Sequence, residues 1–485
     1  MPRDADRADS KRLEEALAAI GPALARFNRF DGQDPAARLR PEWRAALDRA
    51  LPQHGEGLDA VTAVLRDVLI PNGLRNGAPG FSGWVTTAPT TAAVAATLAA
   101  TVAGSQRWWV QPFNHLETVA LRWLGELLGL PPDLQGTFTS GGSTANIIAL
   151  GAGRQHAFER LGIDVARDGV PTAARWSVYA STEVHHVVTR AAAILGLGRR
   201  SVRAVPTDDA LRIDVSALNR ALDEDARAGI HPIAIVATAG TVNTGAVDPI
   251  SDLLTIARER GIWLHVDGAY GAFGVLDDRV APLFKGMEEA DSVAVDPHKW
   301  LAVTVGTGAV FVRDRARLGR AFTLEPAEYL EGAASDGEPV SPFDDFGDPY
   351  HDFNLDQSAP SRGVAVWAVL LEIGAEGVRD RVRRHLDYAR RIADRARTDE
   401  RLEVLSEPVL SICCFRYVAP GLDDANLNRL NATLARRLRS ETPYVPSTTV
   451  VRGRFAIRPC FINPRTTQAD VDGLVDAVRR IGDSL

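Results

Sequence analysis

Three cysteines and two methionines occur in the 485-residue chain. Cys413 and Cys414 are neighbours, Cys460 stands apart, and no CxxC pair exists. That odd, unspaced set predicts a reduced protein with neither a disulfide framework nor a zinc knot. HExxH is absent. His185, His186, His265 and His298 fall near predicted strand ends, but adjacent histidines usually point in different directions. No metal site is expected. GxxxxGKS/T is missing, and no GxGxxG precedes a suitable acid, which argues against a P-loop or a dinucleotide site. Long apolar runs are lacking too. The most apolar stretch, TAAVAATLAATVAG over 91–104, is shorter than a membrane span and reads as a buried alanine-rich helix. The start, MPRDADRADSKRLEEA, is too charged for a secretory signal, so a cytoplasmic protein with no membrane partner is expected. The formal charge is -7 and acids match the arginines along the chain, leaving no basic patch for nucleic acid.

What the chain does have is an ordinary globular balance, 45% hydrophobic and 24% charged, over a length that suits two domains and a short N-terminal addition. Amphipathic helical patterns cover 11–66, residues 71–84 are irregular, and 115–132 reads as a helix ending at proline. Strand-like runs follow at 177–181, 201–206, 233–240, 262–270, 292–296 and 308–314, with helical stretches such as 251–261 between several of them. Apolar strands alternating with helices predict an α/β fold with a largely parallel sheet covered on both faces. Ligands bind such sheets at the C-terminal strand ends. The acidic stretch 331–360 breaks the rhythm and reads as a surface excursion or a lid. One or two long helices and a smaller α+β region complete the chain. The expected division is an N-terminal helical segment over 1–105, a large α/β domain over 106–362 and a small C-terminal α+β domain over 363–485.

Lys299, in SVAVDPHKWLAV, stands between two apolar runs. A lysine stem can pack while its head reaches water. A desolvated lysine amine, by contrast, loses its proton more readily and can form a Schiff base. Asp267 ends the strand IWLHVD in the same kind of place. It could cap a turn; beside a Schiff-base lysine it could instead keep a pyridine nitrogen protonated, so that the ring accepts electrons. In TFTSGGSTANIIAL, Gly141 and Gly142 permit close backbone approach, and Ser143 or Thr144 could open a helix whose amides favour a phosphate. STEVHH places His185 or His186 over a flat ring. Together these residues describe a site for pyridoxal 5'-phosphate.

The ordered set SGGSTAN, STEVHH, ATAGTVNTGAVDP, WLHVDGAYG and DPHKW resembles the pyridoxal-phosphate-dependent group II amino-acid decarboxylases, from about residue 65 to the C-terminus. The resemblance implies the aspartate-aminotransferase-like fold and a homodimer with shared active sites. It implies that Lys299 carries the cofactor, Asp267 meets the pyridine nitrogen, His185 stacks on the ring and Ala269 approaches its other face. Gly142, Ser143 and Asp296 would hold the phosphate, and His298 would adjoin cofactor and substrate. Where many relatives have a second threonine this chain has Val242, which removes a hydroxyl near the phenolic oxygen; Thr241 or Asn243 could compensate. Trp84 would shape the substrate pocket, favouring an aromatic amino acid, and Arg458 would organise the site or meet a carboxylate. A loop tyrosine of the family protonates the carbon left by carbon dioxide. Phe353 falls at that position, and Tyr350, three residues away, is the tyrosine candidate for that acid. Phenylalanine there implies an alternative: decarboxylation with oxidative deamination, yielding aldehyde, ammonia and hydrogen peroxide. Acidic and diamino acids are further candidate substrates.

Overall fold

The computed structural model describes residues 4–30, 42–104, 111–322 and 349–485. Its centre is a seven-stranded sheet. The strands are β2 (Gln135–Thr139), β3 (Arg175–Ser181), β4 (Val202–Val205), β5 (Ile230–Thr238), β6 (Trp263–Asp267), β7 (Ser292–Val295) and β8 (Gly308–Val312), in the order β2-β8-β7-β6-β5-β3-β4. All run parallel except β8, which pairs antiparallel with β2 and β7. Every residue of β6, β7 and β8 is buried, which explains why these strands lack alternation: both faces are covered. Burying one such valine or leucine contributes about 1.5–3 kcal/mol, so the middle of the sheet is its most costly part to open. The helix Gly142–Glu159 lies on one face, with Ile148, Ala149 and Ala152 fully buried against it.

Register sets the site. Thr238 stands opposite Asp267, and Asp267 opposite Ala294, so the C-terminal ends of β5, β6 and β7 meet in a row. Asp296 and Lys299 follow immediately after β7.

A second, five-stranded sheet has the order β1-β11-β12-β10-β9. Its strands are β1 (Phe81–Ser82), β9 (Leu402–Ser406), β10 (Cys414–Tyr417), β11 (Val445–Val451) and β12 (Arg454–Arg458). The short β1 pairs parallel with β11, Phe81 opposite Val445, so residues far up the chain complete the small sheet. The helical stretch Gly363–Arg397 precedes β9 and breaks at Gly374, where φ is +64.

One expectation changes. The stretch at 91–104 does form a helix, Thr91–Ala103, capped by the Thr90 hydroxyl accepting from Ala93 N. It is not a buried one: only Ala93 and Ala100 are enclosed, and Val94, Leu98 and Val102 are exposed in the single chain. Alanines give its inner face close approach, and the larger side chains point outward. The lid expected at 331–360 lies outside the described residues over 331–348. Over 349–360 there is a single helical turn at Tyr350–Phe353, with Tyr350, Asn354 and Ala359 buried. The α/β architecture with its mostly parallel sheet is the one the sequence implied.

Candidate active site

The strand ends open into a cavity of about 590 Å³. Most of the residues singled out in the sequence line it, among them Trp84, Gly142, Ser143, His185, Asp267, Ala269, Asp296, His298, Lys299 and Arg458. Asp267 reaches it because β6 ends there, and its Oδ1 accepts from Ala269 N at 3.2 Å. Lys299 reaches it because Pro297 opens a four-residue helix, Pro297–Trp300, directly after β7. Lys299 Nζ pairs with Asp296 Oδ2 at 2.9 Å, so the lysine head is turned inward toward charge.

The turn before the helix Gly142–Glu159 makes a cradle. Gly141 sits at φ +130, a conformation open to glycine. A Cβ on Gly142 would come within 2.6 Å of Asp296 Oδ2 and 3.0 Å of Ala269 Cβ. The first amides of the helix have no partner within it, which suits a phosphate group. The cradle is braced from the core. His265 is wholly buried, with Nδ1 at 2.9 Å from Ser292 Oγ and Nε2 at 3.0 Å from Asn146 Oδ1. Asn146 Nδ2 donates to Gly142 O at 2.8 Å. The amide oxygen must then accept, so His265 Nε2 carries a proton and Nδ1 accepts from Ser292. Burial lowers the His265 pKa to about 4, which keeps the ring neutral. His265 is thus a strut rather than a ligand. Among the described residues no cluster of three or more His, Cys, Asp or Glu could hold a metal ion.

His185 lines the cavity, and its Nδ1 accepts from Val187 N at 3.3 Å. Burial first, then the neighbouring His186, lower its pKa. His186 does not line the cavity; its ring stands 4.1 Å from that of His185. The choice of His185 over His186 agrees with this placement. His298 Nδ1 lies 2.8 Å from Thr307 O, which accepts only, so that nitrogen carries a proton.

Arg458 ends β12 and is 4% exposed. Nε donates to Asn243 O at 3.1 Å, Nη1 to Trp84 O at 2.9 Å, and Nη2 to Val242 O. One side chain therefore ties two distant segments, at Trp84 and at Val242–Asn243, to the end of β12 beside the cavity. Trp84 itself is left-handed, at φ +51, and 60% exposed, with its amide donating to Ser447 Oγ. Val85, Val242 and Val305 stand with Trp84 in the cavity wall.

Three expected residues are elsewhere. Thr241 is enclosed in a turn, its hydroxyl 3.0 Å from Thr244 Oγ1 and accepting from Ala246 N at 3.1 Å, and it does not line the cavity. Tyr350 is 1% exposed, with its hydroxyl 2.8 Å from Thr118 Oγ1 and Arg315 over its ring. Phe353 packs beneath the same arginine, 3.8 Å from its guanidinium carbon. Neither lines the cavity. One further tyrosine, Tyr329, separates Lys299 from Tyr350 in the sequence and lies outside the described residues. Asn146, Thr238, Ser447 and Thr448 line the cavity without having been singled out. The first follows Ser143 by three positions on the helix, a spacing that returns to the same face; the others carry no sequence signal.

The donor set suits pyridoxal 5'-phosphate. A glycine cradle with helix amides, the Asp267 carboxylate and the Lys299 amine share one cavity, the set of groups such a cofactor needs. The family model for the pyridoxal-dependent decarboxylase conserved domain matches residues 41–418. An aromatic-L-amino-acid decarboxylase of Bacillus atrophaeus is 30% identical over 373 residues, 77% of this chain and 74% of that protein. A phenylacetaldehyde synthase of Petunia hybrida is 30% identical over 383 residues, 76% of this chain and 72% of that protein. The crystal structure of Oryza sativa TDC with PLP and tryptamine superposes with a TM-score of 0.85 at 25% identity, covering 100% of this chain and 99% of that one. The chain belongs to the pyridoxal-dependent decarboxylase family and is a pyridoxal-phosphate-dependent amino-acid decarboxylase.

Proposed function

We propose that the substrate is an aromatic L-amino acid, converted to its amine and carbon dioxide. One observation carries this reading: a single cavity joins Lys299, Asp267 and His185 to a wall of Trp84, Val85, Val242 and Val305. A flat, apolar wall stabilises an aromatic side chain by burial and ring contact. The names of the Bacillus and Oryza relatives support it. The cofactor, when bound, supplies an electron sink for the pair left by the departing carboxylate. Lys299 would hold it covalently and give way to the substrate amine. The Asp267 carboxylate would hold the proton on the ring nitrogen. His185 would press the ring flat, and Gly142 and Ser143 amides would fix the phosphate end. Asp296 serves Lys299 rather than the phosphate in this reading, because a carboxylate repels a second anion.

A second reading, aldehyde formation with release of ammonia and hydrogen peroxide, draws on the Petunia relative. An amino-acid panel covering aromatic, acidic and diamino acids, with carbon dioxide, amine, aldehyde and peroxide measured together, tests both. Amine from aromatic substrates without oxygen uptake is expected; turnover confined to acidic or diamino substrates overturns the substrate class. Lys299→Ala should abolish the visible absorbance of bound cofactor, and normal turnover by that variant would remove Lys299 from the mechanism.

The same reading places two copies face to face, supported by the exposed Val94, Leu98 and Val102 beside a cavity whose rim residues Trp84 and Val305 are themselves exposed. It places the protein in the cytoplasm, supported by three buried, unpaired cysteines. It also keeps the three-part division of the chain, supported by the two separate sheets.

A further inference from the structure

The peptide that carries Lys299 is held from behind. After the helix Pro297–Trp300, Ala302 adopts φ +52, a left-handed conformation that residues with side chains seldom take. It is fully buried, and its carbonyl accepts from Thr90 N at 2.8 Å. A strained turn of this kind persists only where its surroundings over-determine it, and such turns gather at functional sites. Trp300 supplies one restraint: Nε1 donates to Tyr270 O at 2.5 Å, and the two rings stack with centroids 6.0 Å apart.

Arg381 supplies another. It lies in the helical stretch Gly363–Arg397 and is 7% exposed. Its Nη1 donates to Leu301 O at 3.1 Å and to Trp300 O at 3.3 Å. The neighbours Arg379 and Arg383 pair with Glu376 and Asp278. Among the described residues, Arg381 has no carboxylate partner of that kind. Burying a cation without a counter-ion is costly, and an apolar residue of similar volume would pack the same space more cheaply. The guanidinium therefore calls for an explanation beyond packing, and its contacts point to one: they fall on the two carbonyls next after Lys299.

We infer that Arg381 is a positioning residue for Lys299. By holding the carbonyls of Trp300 and Leu301, it fixes the line along which Lys299 Nζ enters the cavity. The inference rests on the reading of Lys299 as the residue that carries the cofactor.

The test compares the full-length wild-type chain with Arg381→Met and Arg381→Lys. Each apo-chain is mixed with pyridoxal 5'-phosphate, the C=N bond is reduced with borohydride at timed intervals, and the peptide containing Lys299 is weighed. Apo-chain melting and steady-state kinetics accompany it. Arg381→Met should slow covalent capture at Lys299 and lower kcat by about tenfold or more, with KM changed by less than about threefold, since small displacements of a reacting group are costly. Its apo-chain should melt within a few degrees of the wild type, because removal of the buried charge offsets the two carbonyls left without that donor. Arg381→Lys should fall between the two. Capture and kcat near wild type in Arg381→Met overturn the inference, as do losses matched by a lower melting temperature of the apo-chain. If Arg381→Met does not fold, Arg381→Lys decides: slowed capture supports the role, and wild-type capture overturns it. Absence of the reduced cofactor from Lys299 in the wild-type chain would overturn the lysine assignment and this inference together, a result distinct from unchanged capture in the variant.

Discussion

Gly142 offers the sharpest test of the phosphate cradle. Replacing it with alanine adds one methyl group and no left-handed strain, since Gly142 is not among the residues with positive φ. The new Cβ would stand 2.6 Å from Asp296 Oδ2, and ordinary contact begins at 3.4 Å, so about 0.8 Å of movement is required. The next residue it meets, at Ala269 Cβ, would stand 3.0 Å away, so the carboxylate is the group that must yield most. Moving Asp296 also disturbs its 2.9 Å pair with Lys299. Overpacking of this sort costs about 1–3 kcal/mol. If about 2 kcal/mol of it falls on the bound state, cofactor affinity drops about 30-fold. Titration of the apo-chain with pyridoxal 5'-phosphate, followed by absorbance, measures this directly. Gly306→Ala is the control. That residue also lines the cavity and sits at φ +91, but a Cβ there meets nothing within 4 Å. It should cost about 1 kcal/mol of stability from backbone strain and leave affinity within about threefold. Wild-type affinity in Gly142→Ala, or equal losses in both variants, would refute the cradle.

Further outcomes follow from burial and hydrogen bonding. Tyr350→Phe should lower stability by about 1 kcal/mol through loss of the Thr118 contact and leave the ratio of amine to aldehyde unchanged. Tyr329→Phe should raise the aldehyde share if that tyrosine returns the proton; product ratios under air check both. Arg458→Met should weaken substrate and cofactor binding together, because Trp84, Val242 and Asn243 lose one shared tie. Acid should destabilise the fold through His265 and His385, whose pKa values burial lowers to about 4 and about 3. The unfolded chain takes up these protons first, below about pH 6.5, so each histidine removes about 1.4 kcal/mol per pH unit until its folded pKa is reached. Asp248, raised to about 6 by burial, acts in the opposite sense over part of that range. The comparison is therefore His385→Gln against wild type in denaturant unfolding at pH 6.5, 5.5 and 4.5: the variant's slope should be shallower by about 1.4 kcal/mol per unit, and equal slopes would refute the assignment.

The parts of the site that could be read from the sequence are those whose chemistry is local. Asp267 and Lys299 each terminate or follow a wholly buried strand, so a polar residue at that point stood out against an apolar run. The same logic failed where a side chain's duty depends on which neighbour folds over it. Thr241 looked like a cofactor contact until the turn 241–246 closed on its hydroxyl. Tyr350 looked like an acid on a loop, and the helix Arg315–Phe322 and residue Thr118 instead enclose it. Arg458 was legible as important but not for what it does. Its three carbonyl partners belong to segments 215, 216 and 374 residues away, and no periodicity encodes a contact at that separation. Arg381 gave no signal at all, because in sequence it is one arginine of several on a helix. Two carbonyl contacts and, among the described residues, no paired carboxylate set it apart, and both are properties of the packed chain. The residues proposed to hold the cofactor are thus written in short motifs, while the contacts proposed to position them are tertiary.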